Sequence, residues 1–378
     1  MNISKTLVAV AVLSVFAASA HAEDQVTIFG TADAGYRWSG KNVNPTIGDQ
    51  SRIDSGTSIP SRLGFQGGEN LGNGLRASFV LEAAVDVTGG GQLLGGGGFS
   101  RQAFVALGGP LGKVAVGRQY TPGYLLTSEV DPFGSVTTGQ YNNVYLTEYR
   151  WDNQLTYFSP ELDGASFSLA YTLNGYGQES VGNKGTGAVG DVEGISFVPQ
   201  YRKGPLLVGA HLQQLSSSTN GLDSSGKALA TAYDGQKVRV FDLGGTYDLG
   251  IVKLAAAYGT RRADRADFSP DTGASAGKDT RQWLLGATLP VGERGKILAS
   301  YVHRQTALAS GSGTARAGQW AAGYEYALSR RTALYAVLAS TNNNAVGRDA
   351  GFISSVGAGY NAGDGYQRSF VSGIRHSF

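Results

Sequence analysis

The sequence predicts an all-β fold: one transmembrane, up-and-down antiparallel β-barrel of sixteen strands, with long extracellular loops and short periplasmic turns. Three observations predict it. From Gln25 onward apolar residues recur with a period of two, the mark of strands with one greasy and one wet face. Short turns alternate with long polar loops rich in Gly, Ser and Asn, as in a meander whose long connections share one end. The chain stops on Phe378, with Phe370, Ile374 and His376 at the same parity before it. Soluble domains end in frayed polar tails. A closed barrel must instead pair its last strand with its first, because an open sheet edge is not tolerated in lipid.

The elements follow in order. Lys5, an apolar run from Leu7 to Ala18, and Ala20-His21-Ala22 form a secretory signal peptide, residues 1–22, cleaved after Ala22. The run falls short of the roughly 20 residues a helical span needs. Residues 23–378 form a single domain. Its first strand places Val26, Ile28, Ala32, Ala34, Tyr36 and Trp38 on one face, and Thr27, Thr31, Asp33 and Arg37 on the other. Further strands begin near Ser61, Leu75, Ser100, Lys113, Glu148, Ala165, Ile195, Leu206, Lys237, Val252, Lys278, Lys296, Arg316, Thr332 and Gln367. Aromatic pairs near strand ends, such as Tyr157 with Phe158 and Tyr324 with Tyr326, suit interfacial girdles. A soluble sandwich of this length would outgrow one apolar core. A barrel in lipid, wet inside, needs none.

Composition excludes several functions. The 57 Gly, 19 Tyr and single Met suit strands and loops better than helices. A net charge of +2 gives no electrostatic case for nucleic acid. The absence of Cys removes disulfides and thiolate metal sites. After signal cleavage only His211, His303 and His376 remain, with no triad or metal spacing around them. The run Gly89–Gly98 lacks the Lys-Ser/Thr of a phosphate loop. We expect no enzyme, no catalytic residue, no metal and no cofactor.

Five stretches then occur in order: VTIFGTADAG, SRLGFQGGENLGNGLRASFVLE, SRQAFVALGGPLGKVAVGRQYTP, DNQLTYFSPELDGASFSLAY and the closing GIRHSF. Together they resemble the Gram-negative general porins, above all the betaproteobacterial branch. The resemblance implies a water-filled outer-membrane channel for passive diffusion of small hydrophilic solutes and ions. It implies a homotrimer and a third loop, here residues 121–147, folded into the barrel. It implies outer-membrane lipid, lipopolysaccharide and the barrel-assembly machinery as partners. Phe370, Ile374, His376 and Phe378 resemble the family's assembly signal. The alternative is a substrate-selective channel for phosphate, sulfate or organic acids. An adhesive or structural barrel suits the small polar loops less well.

A passive channel needs a narrow place and charges that line it. Parity turns Arg37, Arg62 and Arg76 inward, and Arg101 too if Phe104 faces lipid. Arg150 lies in phase with Asp152 and Gln154. The resemblance maps the family's basic wall onto Arg62, Arg101 and Arg150. Thr31 stands where a cation is often found on strand one. Arginine keeps its charge at any pH. In the third loop, Asp131-Pro132-Phe133-Gly134 resembles the family's constriction tip, and Pro and Gly supply a sharp bend. Glu129 and Asp131 are expected to face the arginines across the opening. Five arginines against so few acids leave a positive surplus and a weak to moderate anion preference. Arg118 has lipid-face parity, so a partner is expected, at a subunit interface or at the membrane boundary.

Overall fold

The computed structural model describes residues 25–90, 93–94, 98–134, 138–173, 191–218, 235–264, 277, 279–308, 313–349 and 365–378. The expected signal peptide lies outside them.

Sixteen long strands close into one antiparallel barrel. They are β1 (Gln25–Asn42), β2 (Arg62–Gly72), β3 (Leu75–Val85), β4 (Gln102–Gly109), β5 (Gly112–Tyr120), β6 (Arg150–Phe158), β7 (Ala165–Thr172) and β8 (Asp191–Lys203). The second half is β9 (Leu206–Ser218), β10 (Lys237–Asp248), β11 (Lys253–Ala263), β12 (Asp279–Val291), β13 (Gly295–Ala307), β14 (Thr314–Ala327), β15 (Thr332–Asn343) and β16 (Tyr366–Ser377). Each start lies within a few residues of its expected place. Gln50–Ser55 adds a short strand beside β1 in the first long loop. No described helix is long and apolar enough to cross a membrane; the strands do so.

The seam joins β1 to β16, from Thr31 opposite Ser377 to Asn42 opposite Tyr366. Gly30 and Phe378 exchange both backbone hydrogen bonds at 3.1 Å. Phe370, Ile374 and Phe378 point outward and are 36–47 % exposed. His376 shares their parity, and its Nδ1 lies 2.9 Å from Thr332 Oγ1 of β15.

The burial pattern inverts that of a soluble protein. Val26, Ile28 and Val105 are about 60 % exposed, while Asp33, Arg37, Gln282 and Gln319 are buried. Apolar side chains face outward to lipid, and polar ones face a filled interior, as a barrel in a bilayer requires.

Candidate functional site

A basic wall forms on the inner face of β2–β6. Arg62 opens β2 opposite the buried, inward Thr31. Glu82 of β3 is 4 % exposed on the same face. Its carboxylate takes Arg101 Nε at 2.5 Å and Arg62 Nε at 3.8 Å. Arg101 Nη2 donates to Tyr120 Oη at 2.6 Å. Arg150 Nη2 donates to the same oxygen at 2.8 Å, and its guanidinium lies over the phenol ring, 4.3 Å from the centroid. The structure therefore brings Arg62, Arg101 and Arg150 into one linked chain. A carboxylate cancels one charge, whereas a phenol offers only lone pairs and a π face. Three guanidiniums against one carboxylate leave a net +2.

Two phases depart from strict alternation. Val105 and Leu107 take the lipid face at 61 % and 44 % exposed. Phe104 therefore has inward parity, opposite Gly117, whose missing side chain leaves it room. The condition set for Arg101, an outward Phe104, is therefore not met. Arg101 lies just before β4, and its inward aim comes from its bonds to Glu82, backbone included at 3.0 Å, rather than from the pleat. A second shift falls in β6. Asn153 has φ 49°, and the β5–β6 register slips between Gly117 and Gln119. A bulge of this kind reverses the faces beyond it. It buries Trp151 inside and breaks the expected common phase of Arg150, Asp152 and Gln154. Asp152 instead pairs with Arg118, which also donates from Nε to Ser100 O at 2.6 Å. Arg118 thus finds its partner within the chain.

The other two arginines lie apart. Arg37 pairs with Asp54 of the Gln50–Ser55 strand at 2.8 Å, and Arg52 shares that carboxylate. Arg76 is exposed and donates to Asn70 Oδ1 at 3.2 Å beside the short β2–β3 turn. It sits six residues, about 20 Å of strand, from Glu82. It does not join the basic wall.

The third loop crosses to the opposite wall. It opens with helix α1 (Pro122–Val130), whose N-cap Thr121 accepts from Tyr124 N. Gly209 and Gly244, on the inner face of β9 and β10, leave room for Leu126 and Val130. Pro132 sits against Gly286 of β12. Phe133 is 2 % exposed among Leu298, Ala321, Tyr335 and Val337. Gly134, at φ 57°, closes the bend with its N–H on Asp131 O, a conformation that favours glycine. On the return path, Gln282 of β12 accepts from Leu146 N at 2.8 Å and donates to Leu146 O at 3.0 Å. Gln319 of β14 donates to Gly139 O and Gln140 O and accepts from Asn143. Tyr145 donates to Asp242 at 2.6 Å, whose other oxygen is 2.9 Å from His211 Nδ1.

The two loop acids do not pair with the basic wall. Glu129 bonds Arg202 of β8 at 2.5 Å, on the loop's own side. Asp131 is 4 % exposed and accepts from Phe133 N and Tyr141 N at 3.2 and 2.9 Å. The expected acid-against-arginine field across the opening is corrected: one acid is engaged beside α1, the other by the loop's own backbone. Burial pushes the Asp131 carboxyl up to about 7, against the opposing pull of those two amides. The native loop therefore holds this proton more tightly than the open chain does. Its contribution is full below about pH 4 and is lost as pH rises toward 7, about 4 kcal/mol at most. The protection factors of residues 122–134 against hydrogen exchange should fall between pH 5 and pH 8, over and above the rise in intrinsic exchange that pH brings to every amide. In Asp131→Asn that fall in protection should vanish.

Parity had marked Glu82 as inward but not as the residue between two arginines. Tyr120, Gln282 and Gln319 gave no signal beyond an aromatic at a strand end and amides on a wet face.

A closed sixteen-stranded barrel with a polar interior and a loop laid across it defines a class, the diffusion channels of the outer membrane. Within that class the chain belongs to the Gram-negative porin family, whose model matches residues 9–346. It is similar to an outer membrane porin protein of Bordetella pertussis, 30% identical over 92% of this chain and 96% of that one. It is equally similar, at 30% over 99% of each chain, to outer membrane porin protein 32 of Delftia acidovorans. Among solved structures, the anion-selective porin from Comamonas acidovorans superposes with a TM-score of 0.70 at 25% identity, covering 94% of this chain and all of its own. The chain is an outer-membrane porin, a passive diffusion channel.

Proposed function

We propose that this porin passes small hydrophilic solutes and ions with a weak to moderate preference for anions. The observation that carries the reading is the linked chain Arg62–Glu82–Arg101–Tyr120–Arg150 and its net +2. The third loop, residues 121–147, narrows the lumen opposite that chain, with Pro132, Phe133 and Gly134 as its bend. The anion selectivity of the Comamonas relative points the same way. A channel of this kind runs on charge and width and asks no bond-making of its residues. We also propose a homotrimer, export by cleavage after Ala22, and insertion by the barrel-assembly machinery through the Phe370–Phe378 strand.

The test is the reversal potential of the purified protein in a planar bilayer under a KCl gradient. A potential drawn toward chloride supports the reading; one drawn toward potassium ends it. Glu82→Gln sharpens the test. It raises the cluster from +2 to +3. One more charge about 6 Å from the ion path, screened at about 0.1 M salt, attracts chloride and repels potassium by about 0.4 kcal/mol each, so the chloride-to-potassium permeability ratio should rise about threefold. An unchanged ratio would remove Glu82 from the ion path.

A further inference from the structure

His211 of β9 is buried inside the barrel, 3 % exposed, apart from the basic wall of β2–β6. It lies opposite Asp242 in the β9–β10 register. Its Nδ1 is 2.9 Å from Asp242 Oδ2, and its Nε2 is 3.3 Å from Gln213 Oε1. The Gln213 amide cannot turn the other way. Its Nε2 donates to Glu148 Oε2 at 2.6 Å, an oxygen that also takes the Trp151 indole N–H at 3.1 Å. A carboxylate only accepts and an indole only donates. The amide must therefore turn its NH2 to Glu148 and its oxygen to the histidine. Both ring nitrogens of His211 thus face acceptors. A neutral imidazole has a single N–H and would set a lone pair against an oxygen at one of the two contacts. The imidazolium satisfies both.

The surroundings favour that charge. Asp242 and Glu148, 1 % and 7 % exposed, are carboxylates at either end of the short chain through the ring. A neutral His211 would leave them with one cation fewer, which is costly for buried carboxylates. Tyr145 Oη adds only a neutral donor, to Asp242 Oδ1 at 2.6 Å. The flanking strands bring Ser196 of β8 opposite Gln213 and Gly259 of β11 opposite Asp242, neither of them charged. Gly123 of α1 lies against the imidazole with no room for a side chain. The N-terminal turn of that helix disfavours a cation, but weakly beside two charge-assisted hydrogen bonds. Both feet of the third loop meet at this point. Thr121, the N-cap of α1, donates to Glu148 O at 2.6 Å at the loop's exit.

We propose that His211 is held as an imidazolium and that this cation is the positioning residue of the third loop. It ties Asp242, and through it Tyr145 on the return limb, to Gln213, Glu148 and the first turn of α1. One proton therefore fastens the start and the end of the segment that narrows the pore. The assignment stands whichever ion the channel prefers.

The experiment is nitrogen NMR of the protein purified from the outer membrane into detergent at neutral pH, with 15N in its histidines. The His211 signal, assigned by its loss in His211→Gln, should show a bound proton on both ring nitrogens. In Asp242→Asn one of those protons should be lost. Hydrogen-exchange protection of residues 122–130 should fall about tenfold in His211→Gln, the size of one hydrogen bond to a charged group. Channel conductance in a planar bilayer reports folding and tests the porin reading separately. A single protonated nitrogen in wild type overturns the imidazolium. Two protons that survive Asp242→Asn remove the carboxylate as their cause and overturn it as well. Unchanged protection of α1 in a conducting His211→Gln overturns the positioning role. Should His211→Gln fail to conduct, His303→Gln and His376→Gln assign the signal by elimination, and the protection of α1 in Asp242→Asn takes the place of the missing comparison.

Discussion

With Arg101 and Arg150 both replaced by Ser, the reversal potential in a KCl gradient should fall close to zero. Both guanidiniums reach the same phenol oxygen, at 2.6 and 2.8 Å, and their removal leaves Arg62 and Glu82 as a pair of opposite charges. The local sum changes from +2 to neutral. At about 6 Å in water and about 0.1 M salt each charge attracts an anion and repels a cation by about 0.4 kcal/mol, so the anion-to-cation permeability ratio should drop about tenfold. The effect should shrink at high salt, where the Debye length falls to about 3 Å. A ratio that stays put at low salt would move selectivity away from β2–β6. The variant should still fold, because Ser on a lumen wall is solvated and Tyr120 keeps its stack on Tyr124 at 5.0 Å.

Gln282→Leu combined with Gln319→Leu should release the third loop. These two side chains hold five hydrogen bonds to loop residues Gly139, Gln140, Asn143 and Leu146. Four of those involve loop backbone. Each buried polar group left unpaired costs about 1–3 kcal/mol. A loop that swings toward the water-filled lumen regains partners for them. Single-channel records should then show higher mean conductance and more open-channel noise. Records indistinguishable from wild type would mean that Phe133, Pro132 and the Tyr145–Asp242 contact hold the loop without the amides.

The barrel was legible in the sequence because its physics repeats at every strand. Alternation at period two is dictated by lipid outside and water inside, so sixteen starts could be placed to within a few residues. The wall was legible in part. Arg62 follows from the pleat alone. Arg101 and Arg150 reached the wall by routes that parity cannot express: one stands just before its strand, and the other, out of phase with the inward Trp151, is turned by its contacts with Tyr120. The loop was legible in its bend, since Pro132 and Gly134 are local signals. The fates of Glu129 and Asp131 were not. Which way a loop acid turns depends on Arg202 and on the amides of Phe133 and Tyr141, and neither relation has a period.

The third loop leaves the barrel at β5 and re-enters at β6, yet its tip packs on β13–β15, about half the circumference away. It is therefore a strut spanning a diameter. Squeezing the barrel along that line would drive Phe133 and Pro132 into a wall whose glycines already leave them no slack. A hollow cylinder of hydrogen-bonded strands would flatten readily in that direction; a braced one resists. The same segment that narrows the hole also keeps it round, so the largest solute admitted should change little as lateral tension in the membrane rises and falls.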